Sequence, residues 1–201
     1  MHLHQAEFIL AVSSVFPEFF HGTNVLEIGS YNVNGSVRRY FRHPKRYVGV
    51  DLIEGPDVDV VCSGEVFESE ELFDVSVSTE CFEHTPAFLE IFENMTRLTK
   101  PGGMVLMSCA TTGRPEHGTA RTTPFDSPGT SSQEGEDANY YRNLTRENFP
   151  DIMLETAFLN YRFFTNREIC DLYFVGIKYG GVKPWDSMFD SIAKNAHVDM
   201  L

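Results

Sequence analysis

One alternation constrains this fold more than any other feature of the sequence. Short apolar runs recur between residues 24 and 108, with helix-patterned segments between them. Asn24 to Ile28, Arg46 to Asp51, Val58 to Val61, Phe73 to Ser78 and Met104 to Ser108 read as strands. Ser36 to Phe41 and Ala87 to Leu98 read as helices. In the second of these, Phe88, Leu89, Ile91, Phe92, Met95 and Leu98 fall on or near one face, and Lys100-Pro101-Gly102-Gly103 stops it. Strands that alternate with helices predict an α/β fold, a parallel sheet with helices on both faces. Nearly continuous apolar strands suit burial from both sides.

The flanks break the rhythm. Residues 1–22 form an N-terminal helical segment whose helix, about residues 4 to 20, breaks near Pro17. Leu159 to Thr165 and Asp171 to Lys178 are strand-like and pair as an antiparallel hairpin at the sheet edge. Residues 110–146 are irregular, with Gly113, Pro115, Gly118, Pro124, Pro128, Gly129 and Gly135. The stretch starts where a strand ends, and loops this long in compact domains tend to carry function, so it reads as a substrate-side loop. In the tail, residues 183–201, Trp185, Met188, Phe189 and Ile192 share one helical face that packs on the domain. The 201 residues make one domain.

Composition narrows the function classes. Sixteen basic residues against 29 acidic ones leave a net charge of −13, which repels phosphate backbones and anionic membranes. The densest basic stretch, Arg38, Arg39, Arg42, Lys45 and Arg46, is too short to reverse that field and reads as a solvated helix end. No run approaches the roughly 20 apolar residues of a membrane span. The apolar segment Phe8 to Val12 follows Glu7 and has no basic residue before it, unlike a secretory signal. Cys62, Cys81, Cys109 and Cys170 form no C-x-x-C pair, which argues against a zinc knuckle and for reduced thiols in a cytoplasmic protein.

The first strand runs into Gly29-Ser30 and continues through Tyr31-Asn32-Val33-Asn34-Gly35-Ser36. Strand, glycine turn and helix let a backbone approach a ligand closely. The dinucleotide pattern G-x-G-x-x-G fails, because Tyr31 and Asn34 stand where glycines are needed, and this weighs against a nicotinamide-dependent oxidoreductase. The second strand ends at Asp51, where a carboxylate can accept hydrogen bonds from both hydroxyls of a ribose. The fourth runs into Ser78-Thr79-Glu80-Cys81-Phe82-Glu83-His84, placing ionisable side chains at a carboxyl edge, where open sheets bind ligands.

Taken in order, Val25-Leu26-Glu27-Ile28-Gly29, Tyr47-Val48-Gly49-Val50-Asp51, Phe73 to His84, and Leu98-Thr99-Lys100-Pro101-Gly102-Gly103 resemble the successive motifs of class I S-adenosylmethionine-dependent methyltransferases, of the type 11-like kind. The resemblance covers about residues 24 to 109. It implies a Rossmann-like, seven-stranded, mostly parallel sheet with an antiparallel last strand. It also implies S-adenosylmethionine as cofactor. Glu27 and Gly29 would lie beside its methionine part, with Ser30, Tyr31 and Gly35 completing the turn. Asp51, followed by Leu52, would hold the ribose; Cys62, Ser63 and Gly64 would run along the adenine. Thr79, Glu80 and Cys81 would line the sulfonium. Two departures stand out: Tyr31 replaces a customary glycine, and the acidic or amide residue common after the third strand is absent, with Ser63 and Glu65 nearby.

Methyl transfer from a sulfonium is an in-line displacement, so positioning supplies much of the rate, and a hydroxyl nucleophile gains from a base. Neutral histidine suits that task. His84 and His117 are the catalytic candidates; a structural alternative has His84 capping the helix after Thr85-Pro86. Tyr140, Tyr141 and Arg142 are substrate-binding candidates, or else pack against the next helix. The asparagine-proline signature of amino-group methylation is absent; Ser78-Thr79-Glu80-Cys81 stands there. That favours oxygen, or carbon, as the acceptor atom in a small molecule, with a hydroxylated one such as a sugar expected, in a monomer or homodimer. Glu80-x-x-Glu83-His84 with a later His such as His117 resembles the ligand set of certain metal-dependent RNA ribose methyltransferases. The same pattern occurs without metal, and the charge opposes RNA, so no metal is expected. Metal-assisted ribose or sugar O-methylation is one alternative; a catalytically silent binding subunit is another.

Overall fold

The computed structural model describes residues 2–201. Its elements are, in chain order, α1 (Leu3–Val15), β1 (Asn24–Ile28), β2 (Arg46–Asp51), β3 (Val60–Val61), β4 (Phe73–Thr79), α2 (Phe88–Leu98), β5 (Thr99–Ala110), α3 (Pro128–Ser131), α4 (Asp151–Ala157), β6 (Phe158–Asn166), β7 (Asp171–Lys178), α5 (Asp186–Ala196) and β8 (Asp199–Met200). The strands form one sheet in the order β3-β2-β1-β4-β5-β7-β6-β8. β1 to β5 are parallel to one another, and β7 runs antiparallel to both β5 and β6.

Period-2 alternation divides the strands between two apolar layers. Leu26, Ile28, Val105 and Met107 face α2 and α4, meeting Phe88, Phe92 and Leu154. Val25, Val75, Val77, Met104 and Leu106 face the other way, against Phe8 and Val12 of α1 and Phe189 and Ile192 of α5. The Phe8 ring stacks on Tyr173 at 4.2 Å. Gln5 ties α1 to the sheet: its side chain accepts from the His2 backbone N–H and donates to Ser108 Oγ at 3.2 Å in a buried contact.

Several sequence expectations need correction. The sheet has eight strands rather than seven, because β8 pairs with β6 through Phe164–Met200 and Thr165–Asp199. The hairpin is not simply an edge: β7 lies inside the sheet, between β5 and β6. The third strand is only Val60–Val61, and Ser36 to Phe41 contains a single 3₁₀ turn, Val37–Tyr40. So short a segment gains too few hydrogen bonds to offset helix nucleation. Trp185 leaves the apolar face of α5; it precedes the helix and is 77% exposed. The basic stretch is partly neutralised, Arg38 pairing with Asp59 and Arg46 with Glu71.

The long segment after β5 is ordered by its own bonds. Leu144 N–H donates to Ala110 O at 2.9 Å, and Thr111 Oγ donates to Leu144 O at 2.6 Å, closing the excursion at its base. Within it lie α3 and two 3₁₀ turns, Pro124–Asp126 and Gly135–Asn139. Among the described residues, no helix is long and apolar enough to cross a membrane.

Candidate active site

A cleft of about 290 Å³ opens at the carboxyl ends of β1, β2 and β4. Its floor is the turn after β1. Gly29 has φ +78°, and a Cβ there would stand 2.6 Å from Cys81 Cβ, so only glycine fits. Tyr31 N–H donates to Asp51 Oδ2 at 2.9 Å, and Leu52 N–H donates to Asp51 Oδ1 at 2.7 Å. Burial raises the Asp51 pKa, and these donors oppose the shift. The Tyr31 ring turns against Gly55, where a Cβ would come within 2.1 Å of it. A large side chain thus occupies the expected glycine position because a later glycine leaves room.

Glu27 lies under the turn, buried, and accepts from Tyr47 Oη at 2.7 Å. Burial pushes its pKa up to about 8. The wall after β3 is held from α2: Asn94 Nδ2 donates to the carbonyls of Gly64 and Phe67 at 2.8 and 2.9 Å. Gly64 is packed so that a Cβ would meet Ile28 at 2.5 Å.

The segment after β4 carries two clusters. Glu80, at φ +54°, is partly buried and faces Arg114 at 3.6 Å. Arg114 also bonds Asp171 Oδ1 at 3.0 Å and the Ile169 carbonyl at 2.7 Å. Asp171 Oδ2 accepts from Tyr173 at 2.8 Å and stands 3.0 Å from His2 Nε2. Burial, then the neighbouring Glu83 and Asp171, drive the Glu80 pKa well up. The second cluster joins Glu83, His84 and His117. Glu83 Oε1 accepts from Ala110 N–H at 3.1 Å, while Oε2 is buried without a partner. The His84 and His117 rings meet edge-on at 5.0 Å, and Tyr141 packs against both, at 5.5 and 5.0 Å. Burial, then His117, lowers the His84 pKa to about 3, which keeps that ring neutral. His84 is no helix cap: α2 starts after Ala87, whose N–H donates to Thr85 Oγ.

All twelve cofactor candidates line this cleft: Glu27, Gly29, Ser30, Tyr31, Gly35, Asp51, Leu52, Ser63, Gly64, Thr79, Glu80 and Cys81. So do His84 and His117. Tyr140, Tyr141 and Arg142 do not. Tyr141 backs the histidines, and the Arg142 guanidinium lies 5.9 Å over the Phe88 ring of α2. Sequence reasoning missed His2, Arg114 and the α3 wall, where a Cβ on Gly129 would stand 2.9 Å from Asp51 Oδ1. Proline at the first position of α3 was the one local signal for that helix.

A sheet ordered this way, with its cleft on the carboxyl edge beside Asp51, defines the class I methyltransferase fold. The chain matches the methyltransferase domain family over residues 2–171 and belongs to it. None of the curated proteins matches the chain. Among solved structures, it resembles Burkholderia thailandensis 1,6-didemethyltoxoflavin-N1-methyltransferase, bound to 1,6-didemethyltoxoflavin and S-adenosylhomocysteine. That likeness has 17% identity and a TM-score of 0.58, over 87% of this chain and 79% of that one. N-methyltransferase NodS from Bradyrhizobium japonicum, with S-adenosylhomocysteine, shares 16% identity at TM-score 0.53, over 87% and 85%. Haemonchus contortus phosphoethanolamine N-methyltransferase 2, with phosphomonomethylethanolamine and S-adenosylhomocysteine, shares 17% at 0.56. That match spans 85% of this chain and 52% of the other.

Proposed function

We propose that this chain binds S-adenosylmethionine in the cleft and transfers its methyl group to a hydroxyl of a small polar metabolite, a sugar or similar polyol. One observation carries the reading: Asp51, the Gly29 turn and Glu27 line the same cleft as the His84–His117 pair. In it, Asp51 holds the ribose, Ser63 and Gly64 the adenine edge, and Thr79, Glu80 and Cys81 the sulfonium. The acceptor hydroxyl meets the histidine pair. His117 Nδ1 lies 3.1 Å from the Pro115 carbonyl; donation there leaves Nε2 with its lone pair. The related N-methyltransferases support the reaction class and a small acceptor, and nitrogen is the competing acceptor atom.

The test is calorimetric titration with S-adenosylmethionine and S-adenosylhomocysteine, followed by an acceptor screen of polyols and amines. Saturable binding and methylation of a hydroxyl are the expected results. Folded protein that binds neither compound would sink the cofactor reading, and turnover on amines alone would sink the hydroxyl.

A further inference from the structure

Buried polar groups without partners are rare, and each calls for a physical account. Here two of them share one cluster. Glu83 is 0% exposed and leaves Oε2 unbonded; His84 is buried and leaves Nδ1 unbonded. Together with His117 they offer three ligand atoms, one per residue, all within 4.8 Å of one another. Tyr141 closes the group from behind, and its hydroxyl is also buried without a partner.

The neighbouring cluster of His2, Glu80 and Asp171 makes the contrast. There His2 Nε2 and Glu80 Oε1 also lack hydrogen-bond partners, but Arg114 supplies a positive charge to both carboxylates, and both Asp171 oxygens have partners. No Lys or Arg salt bridge reaches Glu83 among the described residues. Glu80 belongs with Arg114 and lies outside the second set.

We infer that Glu83, His84 and His117 form a site for one divalent transition-metal ion at the acceptor side of the cleft. Two imidazoles and one carboxylate suit zinc, cobalt or manganese better than magnesium or calcium, which prefer all-oxygen sets. Three protein ligands leave at least one position open. Where the proposed methyl transfer holds, that position takes the acceptor's oxygen, and the imidazoles hold the ion instead of a proton. The ion-binding claim itself does not depend on turnover.

The experiment uses chelator-treated, refolding-checked protein. Co²⁺ is titrated by visible absorption and Zn²⁺ by calorimetry, with S-adenosylhomocysteine titrated in parallel. One equivalent of Co²⁺ is expected to give ligand-field bands that millimolar Mg²⁺ or Ca²⁺ does not displace. His117→Ala and Glu83→Gln should each weaken binding by about tenfold or more. Glu83→Gln keeps a carbonyl oxygen for the Ala110 N–H, and His117 is on a partly exposed loop, so circular dichroism should stay unchanged. His2→Ala, in the other cluster, should bind as the parent does. Absence of stoichiometric binding by folded protein, or parental affinity in both ligand variants, overturns the site. Loss of S-adenosylhomocysteine binding with Co²⁺ binding intact overturns the cofactor reading and leaves the ion site standing.

Discussion

The Tyr31 ring fills the space that a side chain on Gly55 would need: a Cβ at position 55 would lie 2.1 Å from Tyr31 Cε2. The two residues are therefore one steric unit. Gly55→Ala alone should destabilise the protein by about 1–3 kcal/mol through overpacking. In a Tyr31→Ala background the same change should cost much less, giving a coupling energy of roughly 0.5–3 kcal/mol in a double-mutant cycle by urea unfolding. Simple additivity would refute the contact.

Asp51 serves the turn and the proposed ribose at once. Asp51→Asn keeps one oxygen for the backbone N–H groups, whereas Asp51→Ala abandons both Tyr31 and Leu52. The asparagine variant can accept only one of the two N–H groups, so it should melt somewhat below the parent, above the alanine variant, and lose cofactor affinity. The alanine variant should lose affinity too, with about 1–3 kcal/mol of stability gone. Parental affinity for S-adenosylhomocysteine in both variants would remove Asp51 from the site.

Glu27 links stability and binding to pH. Its folded pKa is raised to about 8 by burial, above the unfolded value of 4.5. The stability it contributes is complete below pH 4.5 and is lost as pH rises through 8, several kcal/mol at about 1.4 kcal/mol per unit. The melting temperature of the free protein should fall over that window, and fall less in Glu27→Gln. An ammonium group brought near by the cofactor favours the ionised carboxylate. At pH 7, S-adenosylhomocysteine binding should therefore release a proton, seen as a binding enthalpy that changes with the buffer's ionisation enthalpy. Equal enthalpies in phosphate and Tris would contradict it.

Arg114 connects the long segment to the start of β7. Arg114→Ala leaves Asp171, 0% exposed, with Tyr173 and His2 but without the guanidinium. A loss of about 2–4 kcal/mol is expected, less than for a fully isolated buried pair. Limited proteolysis should then cut first between residues 111 and 131. Unchanged melting and cleavage would show that the other Asp171 contacts suffice.

Much of this architecture was legible locally. Gly29 and Asp51 announce themselves because a tight turn and a strand end impose residue types at fixed places. Val75 and Val77 of β4, or Leu26 and Ile28 of β1, alternate as a two-faced strand must. What stayed hidden depends on partners far along the chain. His2 reaches the cleft because α1 packs on the sheet, where Gln5 bonds Ser108 and His2 meets Asp171. Arg114 looked like one more loop residue until Asp171 and Glu80 stood beside it. Tyr140 and Arg142 sit close in sequence to the cleft loop, yet the chain has already turned back to the sheet, where Arg142 N–H donates to Glu83 O. Ser36 to Phe41 carries helical composition over too few residues to overcome nucleation.

The bonds between Ala110, Thr111 and Leu144 uncouple the excursion from the sheet. The excursion that walls the cleft departs and returns at one point, so the sheet does not register its length. Closing a longer loop costs only logarithmically more entropy. The segment is thus a cassette clipped at its base, and its length can change while β5 and β7 keep their register.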